Sequence, residues 1–293
     1  MISYYNNVVV PIDFKEQSAV ALTQSFNIAR LFNLEITLLH VINEHNHSFF
    51  LNLFTPSQSD SIKKSYELDC KNRIEKIADE ASIKSGIIIK TLVVYGKVHE
   101  RIVEIAEELF AKFIVIGFSS DIQLPRKKYT IGDNALRVVK QAKCPVFCIK
   151  GKKFHDGCRN IILPLDLTKQ TKLKVNKAVE LAKFYSATIK VVSALLTNDI
   201  EIINHLKTQI EIVKNQIEEM SITCTTEIVM GVKGRDTIAS VILNYAKEVE
   251  GDLIMIMTQQ ELDWLDLFVG STAQSILINS EIPVMTIIPQ NER

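Results

Sequence analysis

Two stretches of this chain carry the same short pattern. Val8-Val9-Val10-Pro11-Ile12-Asp13 stands near the start, and Ile161-Ile162-Leu163-Pro164-Leu165-Asp166 repeats it 153 positions on (161 against 8). Each is an apolar, mostly β-branched run that breaks at Pro-x-Asp. The same offset sets Ala29-Arg30-Leu31-Phe32 beside Ala182-Lys183-Phe184-Tyr185, and Glu35-Ile36-Thr37 beside Thr188-Ile189-Lys190. Further on, Phe113-Ile114-Val115-Ile116 matches Leu253-Ile254-Met255-Ile256, and Cys144-Pro145-Val146 matches Ile282-Pro283-Val284. Gly132 matches Gly270, where the offset has fallen to 138 (270 against 132). A repeat this long is a whole domain, and 293 residues are enough for two domains with separate cores. The domains are expected at 1–150 and 159–293. A linker at 151–158 is expected from its Gly, Lys, His and Asp content. The shortened offset places an insertion in the first copy, in the loop around His45 to Asp60.

Within each copy, short apolar runs alternate with segments of helical period. Strands are expected near 7–13, 35–42, 88–95, 113–117 and 145–150, and again near 160–166, 187–194, 223–230, 252–257 and 283–288. Between them Val20, Phe26, Ala29 and Phe32 fall at helical spacing, as do Ile102, Ile105, Ala106 and Leu109. Continuous apolar strands alternating with helices require a parallel sheet covered on both faces. With right-handed crossovers the result is α/β: two tandem Rossmann-like domains, each a five-stranded parallel sheet. Ligands of such sheets sit beyond the carboxyl ends of the strands, where the strand order reverses.

The residues at those ends are therefore the candidates. Asp13 and Asp166 follow strand one. A carboxylate there can accept hydrogen bonds from a ribose or a base edge, or it can cap the next helix; the residue type fits both. Strand four runs into Ile116-Gly117-Phe118-Ser119-Ser120 in copy one and Ile256-Met257-Thr258-Gln259-Gln260 in copy two. A glycine then precedes the last helix in each copy, Gly132 and Gly270. Backbone N–H groups at a helix start, with the helix dipole behind them, favour an anion. Ser271 and Thr272 add hydroxyls suited to phosphate, whereas Asp133 would repel one.

Other classes are excluded or unsupported. Lys+Arg and Asp+Glu are both 34, so nothing marks a nucleic-acid partner. No segment reaches the run of about 20 apolar residues a membrane helix needs. Met1 to Asn7 is polar and the apolar run after it stops at Asp13, so no secretory leader is expected. The five cysteines form no CxxC pair and read as reduced thiols of a cytoplasmic protein. Cys144 and Cys148 are expected on one strand face as packing residues. GxGxxG, GxxxxGK[ST] and GxSxG are all absent. His45 and His47, with His40 nearby, lack the further ligands of a metal site. No nucleophile and base can be paired by spacing, so catalysis has no positive support.

The chain resembles a tandem universal stress protein over residues 5–150 and 159–289. The resemblance rests on Pro-x-Asp after strand one and on Leu38-Leu39-His40-Val41 at the end of strand two. Gly96-Lys97-Val98-His99-Glu100-Arg101-Ile102, Gly-Ser before the last helix and x-Pro-Val in strand five complete it. It implies an adenine nucleotide alpha hydrolase-like variant of the fold and a stress-response sensor or binding module. It also implies dimerisation through strand five, here as a pseudo-dimer within one chain, with a homodimer as a further possibility. Nucleotide-binding members of the family carry Gly-x2-Gly-x9-Gly-Ser/Thr around the phosphates of ATP. Carried over, copy one offers Pro11, Asp13, Val41, Ile116, Gly117 and Gly132. It departs at Ser120, at a spacer of 11 residues and at Asp133. Copy two offers Pro164, Asp166, Ala194, Gly270, Ser271 and Thr272, and departs at Met257 and Gln260. No cofactor follows with certainty; ATP or AMP is the candidate, and copy one could use Arg126, Lys127 and Lys128 as countercharge. Three readings follow: a small-molecule sensor with degenerate ATP motifs in both domains, an ATP/AMP-binding protein with weak ATPase activity in domain one, and a scaffold acting through protein contacts. A ligand of another class, shaped by Met257 and Trp264, is a fourth.

Overall fold

The computed structural model describes residues 6–43, 56–118, 133–151, 157–166, 171–258 and 270–288. The chain divides into two compact units, Met1–Phe154 and His155–Arg293.

The first unit runs β1 (Asn7–Pro11), α1 (Glu16–Phe32), β2 (Glu35–Ile42), α2 (Pro56–Ser85), β3 (Ile89–Tyr95), α3 (Val98–Glu108), β4 (Ala111–Gly117), α4 (Asp133–Gln141) and β5 (Val146–Ile149). Its strands are parallel in the order β3-β2-β1-β4-β5. Val8, Val9 and Val10 are all fully buried. Successive strand residues point to opposite faces, so three buried in a row means that helices cover both faces. The ends of α1 are set locally. Asn33 takes a left-handed backbone at φ 50 and its N–H reaches back to the Ala29 carbonyl, a conformation Asn tolerates well.

The second unit runs β6 (Asn160–Pro164), α5 (Thr171–Tyr185), β7 (Thr188–Leu195), α6 (Ile200–Glu219), β8 (Cys224–Met230), α7 (Ile238–Glu248), β9 (Leu253–Met257), α8 (Ser271–Asn279) and β10 (Val284–Ile287). Its order is β8-β7-β6-β9-β10, again parallel. Ile161, Ile162 and Leu163 repeat the buried triplet of β1.

Three differences from the sequence reading have physical causes. Both first strands stop at the proline, because Pro11 and Pro164 have no N–H to offer β4 and β9, although the next residue still bonds to strand two; Asp13 and Asp166 therefore lie beyond the strands. The extra length of the first copy is partly helix, since α2 has 30 residues against 20 in α6 and already includes residues 56–60. Finally β5 begins at Val146, so Cys144 precedes the strand that carries Cys148.

Candidate functional site at the strand ends

In the first unit β1 lies between β2 and β4, and the chain reverses its direction of travel across the sheet there. The carboxyl ends of these strands bring Asp13, Val41 and Gly117 to one edge. The Ile12 N–H donates to the Leu39 carbonyl at 2.8 Å, which carries the alignment with β2 one residue past the strand. Asp13 is exposed. Its Oδ1 accepts the Lys15 N–H at 3.1 Å, and its own N–H donates to Ser18 Oγ at 3.4 Å. The Ser18 hydroxyl donates in turn to the Lys15 carbonyl at 2.9 Å. Asp13 thus makes the Asx-type turn that leads into α1 and still presents its carboxylate to solvent.

Phe14 follows with a left-handed backbone, φ 61, which a bulky residue rarely adopts. Its ring lies on the His40 ring, centroids 4.4 Å apart, and the Arg73 guanidinium of α2 lies 4.1 Å above the Phe14 centroid. His40 is buried at the end of β2, with Nδ1 at 2.8 Å from the Ile12 carbonyl oxygen. A carbonyl only accepts, so Nδ1 carries the proton and Nε2 is left as the acceptor. Among the described residues Nε2 is buried with no partner. Burial is the main force holding the imidazole below its ordinary pKa. The Arg73 charge adds to it, while the Ile12 carbonyl and Asp13 pull the other way. Val41 is buried beside it and Ile116 is buried at the end of β4; Pro11 is half-buried.

Gly117 has a packing role. A Cβ there would lie 2.5 Å from the Gln17 carbonyl oxygen and 2.9 Å from the Ser18 nitrogen. The missing side chain lets the start of α1 seat against β4, next to the Asp13 turn. Ser120, Arg126, Lys127, Lys128 and Gly132 lie outside the described residues, as does the side chain of Asp133.

The second unit keeps the scaffold and changes its contents. Ser193 takes the place of His40: its hydroxyl donates to the Leu165 carbonyl at 2.8 Å, so both units fasten the residue before the turn Asp to strand two. Pro164 and Ala194 are half-buried, as Pro11 is in the first unit. Asp166 differs from Asp13. Its Oδ1 accepts from Lys174 Nζ at 3.1 Å, and the Lys174 side chain is only 9% exposed against 38% for Asp166. The sequence reading missed Lys174. The signal was a lysine on the apolar face of α5, beside buried Val175, Ala178 and Ala182, where the repeat offset sets Ala21 in copy one. Met257 is buried where copy one has Gly117. Gly270 caps α8 with extended backbone and no side-chain hydrogen bond; Ser271 is exposed and Thr272 half-buried. The glycine at the start of α8 is thus kept while the strand side is filled. Gln260 and Trp264 lie outside the described residues.

Among the described residues no three His, Cys, Asp or Glu side chains are grouped to hold a metal ion. His45 and His47 lie outside them. No helix among the described residues is long and apolar enough to cross a membrane.

The model of the universal stress protein family matches residues 4–150 and 157–287. The universal stress protein MJ0577 of Methanocaldococcus jannaschii is 29% identical over 159 residues, which is 50% of this chain and 96% of that one. A second protein of the same organism, universal stress protein MJ0531, is 30% identical over 149 residues, 51% of this chain and 84% of that one. In three dimensions the chain is similar to a universal stress protein from Archaeoglobus fulgidus. The TM-score is 0.74 at 19% identity, covering 97% of this chain and 98% of that one.

Proposed function

Because the chain belongs to the universal stress protein family and carries its domain twice, we propose that it is a cytoplasmic small-molecule sensor whose two units are unequal. The first unit takes the adenosine part of an adenine nucleotide, ATP or AMP. The second does not take a triphosphate.

The observation that carries this reading is the difference between the two turn carboxylates. Asp13 is exposed and engaged through Oδ1 by a backbone N–H, so it remains an acceptor for ribose hydroxyls. Asp166 is held by an ammonium. Met257 supports the second half of the reading, since a buried side chain at a glycine position keeps phosphates from the backbone.

The test is direct. The purified chain is denatured and the released small molecules are identified by mass spectrometry. ATP or AMP is expected, and Asp13→Ala should lower its yield while Asp166→Ala leaves it unchanged. An empty protein that also shows no thermal shift with excess adenosine, or with ATP and magnesium, sinks the reading. That outcome favours the scaffold alternative instead.

A further inference from the structure

Given that the first unit binds adenosine, as proposed above, we infer that Lys174 confines that binding to the first unit by occupying the Asp166 carboxylate from within. Lys174 is 7% exposed and projects from the core face of α5. A charge on such a face persists only with a partner, and Asp166 at 3.1 Å supplies it. Ala21, at the equivalent place on α1, is fully buried and carries no polar group. The repeat offset thus sets a methyl group on α1 where α5 carries the ammonium that meets Asp166.

The consequence for a ligand is electrostatic. A ribose hydroxyl that takes Oδ1 of Asp166 replaces a hydrogen bond between two ions with one in which only the carboxylate is charged, and so gives up the attraction of the ammonium. It would also leave a buried ammonium without its counterion. At Asp13 the same hydroxyl adds to a backbone contact and displaces no charge. One side chain thus decides which of two similar crevices accepts a neutral, hydroxyl-rich nucleoside.

The experiment uses the full chain and adenosine, a probe without phosphate, so that the charge of Lys174 has no anion to attract. Binding stoichiometry and affinity are read by calorimetry. The wild type should bind one adenosine per chain, and Asp13→Ala should weaken it by about tenfold or more. Adding Lys174→Ala to Asp13→Ala should restore one site, and adding Asp166→Ala to both should remove it again. Lys174→Met, which keeps the volume without the charge, serves in the same role if Lys174→Ala melts early. If the wild type binds, Asp13→Ala loses binding and neither Lys174 variant restores it, the nucleoside reading stands and the role of Lys174 is overturned. If the wild type does not bind adenosine, the nucleoside reading falls. A site gained on removing Lys174 would still establish the lock, and no gain would overturn it.

Discussion

His40 donates its Nδ1 proton to the carbonyl oxygen of Ile12 across 2.8 Å. That bond fixes the turn after β1 from the neighbouring strand, and it fixes the tautomer of a buried imidazole. The ring is held below its ordinary pKa of 6.5, chiefly by burial. The unfolded chain takes up a proton at a pH where the folded protein still refuses it. Stability is therefore whole above the unfolded value and is lost as pH falls below it toward the lowered folded value. Thermal melts between about pH 7 and about pH 5 should show this as a falling midpoint. His40→Ser, which copies the Ser193 arrangement, should flatten that slope. An unchanged slope would assign the acid sensitivity elsewhere.

Gly117→Ala should destabilise the first unit. The added methyl would meet the Gln17 carbonyl oxygen at 2.5 Å, and that atom is backbone, so α1 or β4 must shift. Overpacking of this kind costs about 1–3 kcal/mol. Urea unfolding is the measurement, and a change within error would mean the contact relaxes freely.

The two carboxylates should respond unequally to amidation. Asp13→Asn keeps an oxygen for the Lys15 N–H and should change stability by under about 0.5 kcal/mol, because Asn and Asp serve this role equally. Asp166→Asn leaves the Lys174 ammonium buried without its counterion. The cost should be about 2 kcal/mol, below that of a fully buried pair because Asp166 reaches solvent. Lys174→Met should be neutral or stabilising. Equal losses for Asp13→Asn and Asp166→Asn would contradict the pairing.

The cysteines should be slow toward thiol reagents. Burial pushes the Cys144, Cys148, Cys158 and Cys224 thiols up to about 12, and raises Cys70 as well. The reactive thiolate is thus scarce in the folded protein near neutral pH. Titration with a chromogenic disulfide should show little reaction until denaturant is added. A fast-reacting equivalent in the native protein would contradict this burial.

Much of the fold was legible because its signals are local. The apolar triplets of β1 and β6 mark strands buried on both faces, and the repeat offset shows that one unit occurs twice. Pro11 and Pro164 even end their strands by a rule of covalent structure. The site was legible in part. Asp13 and Asp166 were found by position, and Gly117 by motif, although the close approach it permits is to the backbone of α1. Lys174 stayed hidden because no spacing rule joins it to Asp166. A helix brings them together, and only the repeat offset against Ala21 hints at it.

The sequence by itself determined the two units, their class and which residues follow the strand ends. Periodicity, proline and glycine act through the chain's own backbone, and they read the same in any context. The tertiary structure alone decided that, of two exposed carboxylates, only Asp166 meets a buried ammonium, and that Phe14 lies between Arg73 and His40. Those outcomes depend on which side chains of distant segments share a low-dielectric volume, and the free energy of a charge changes most there.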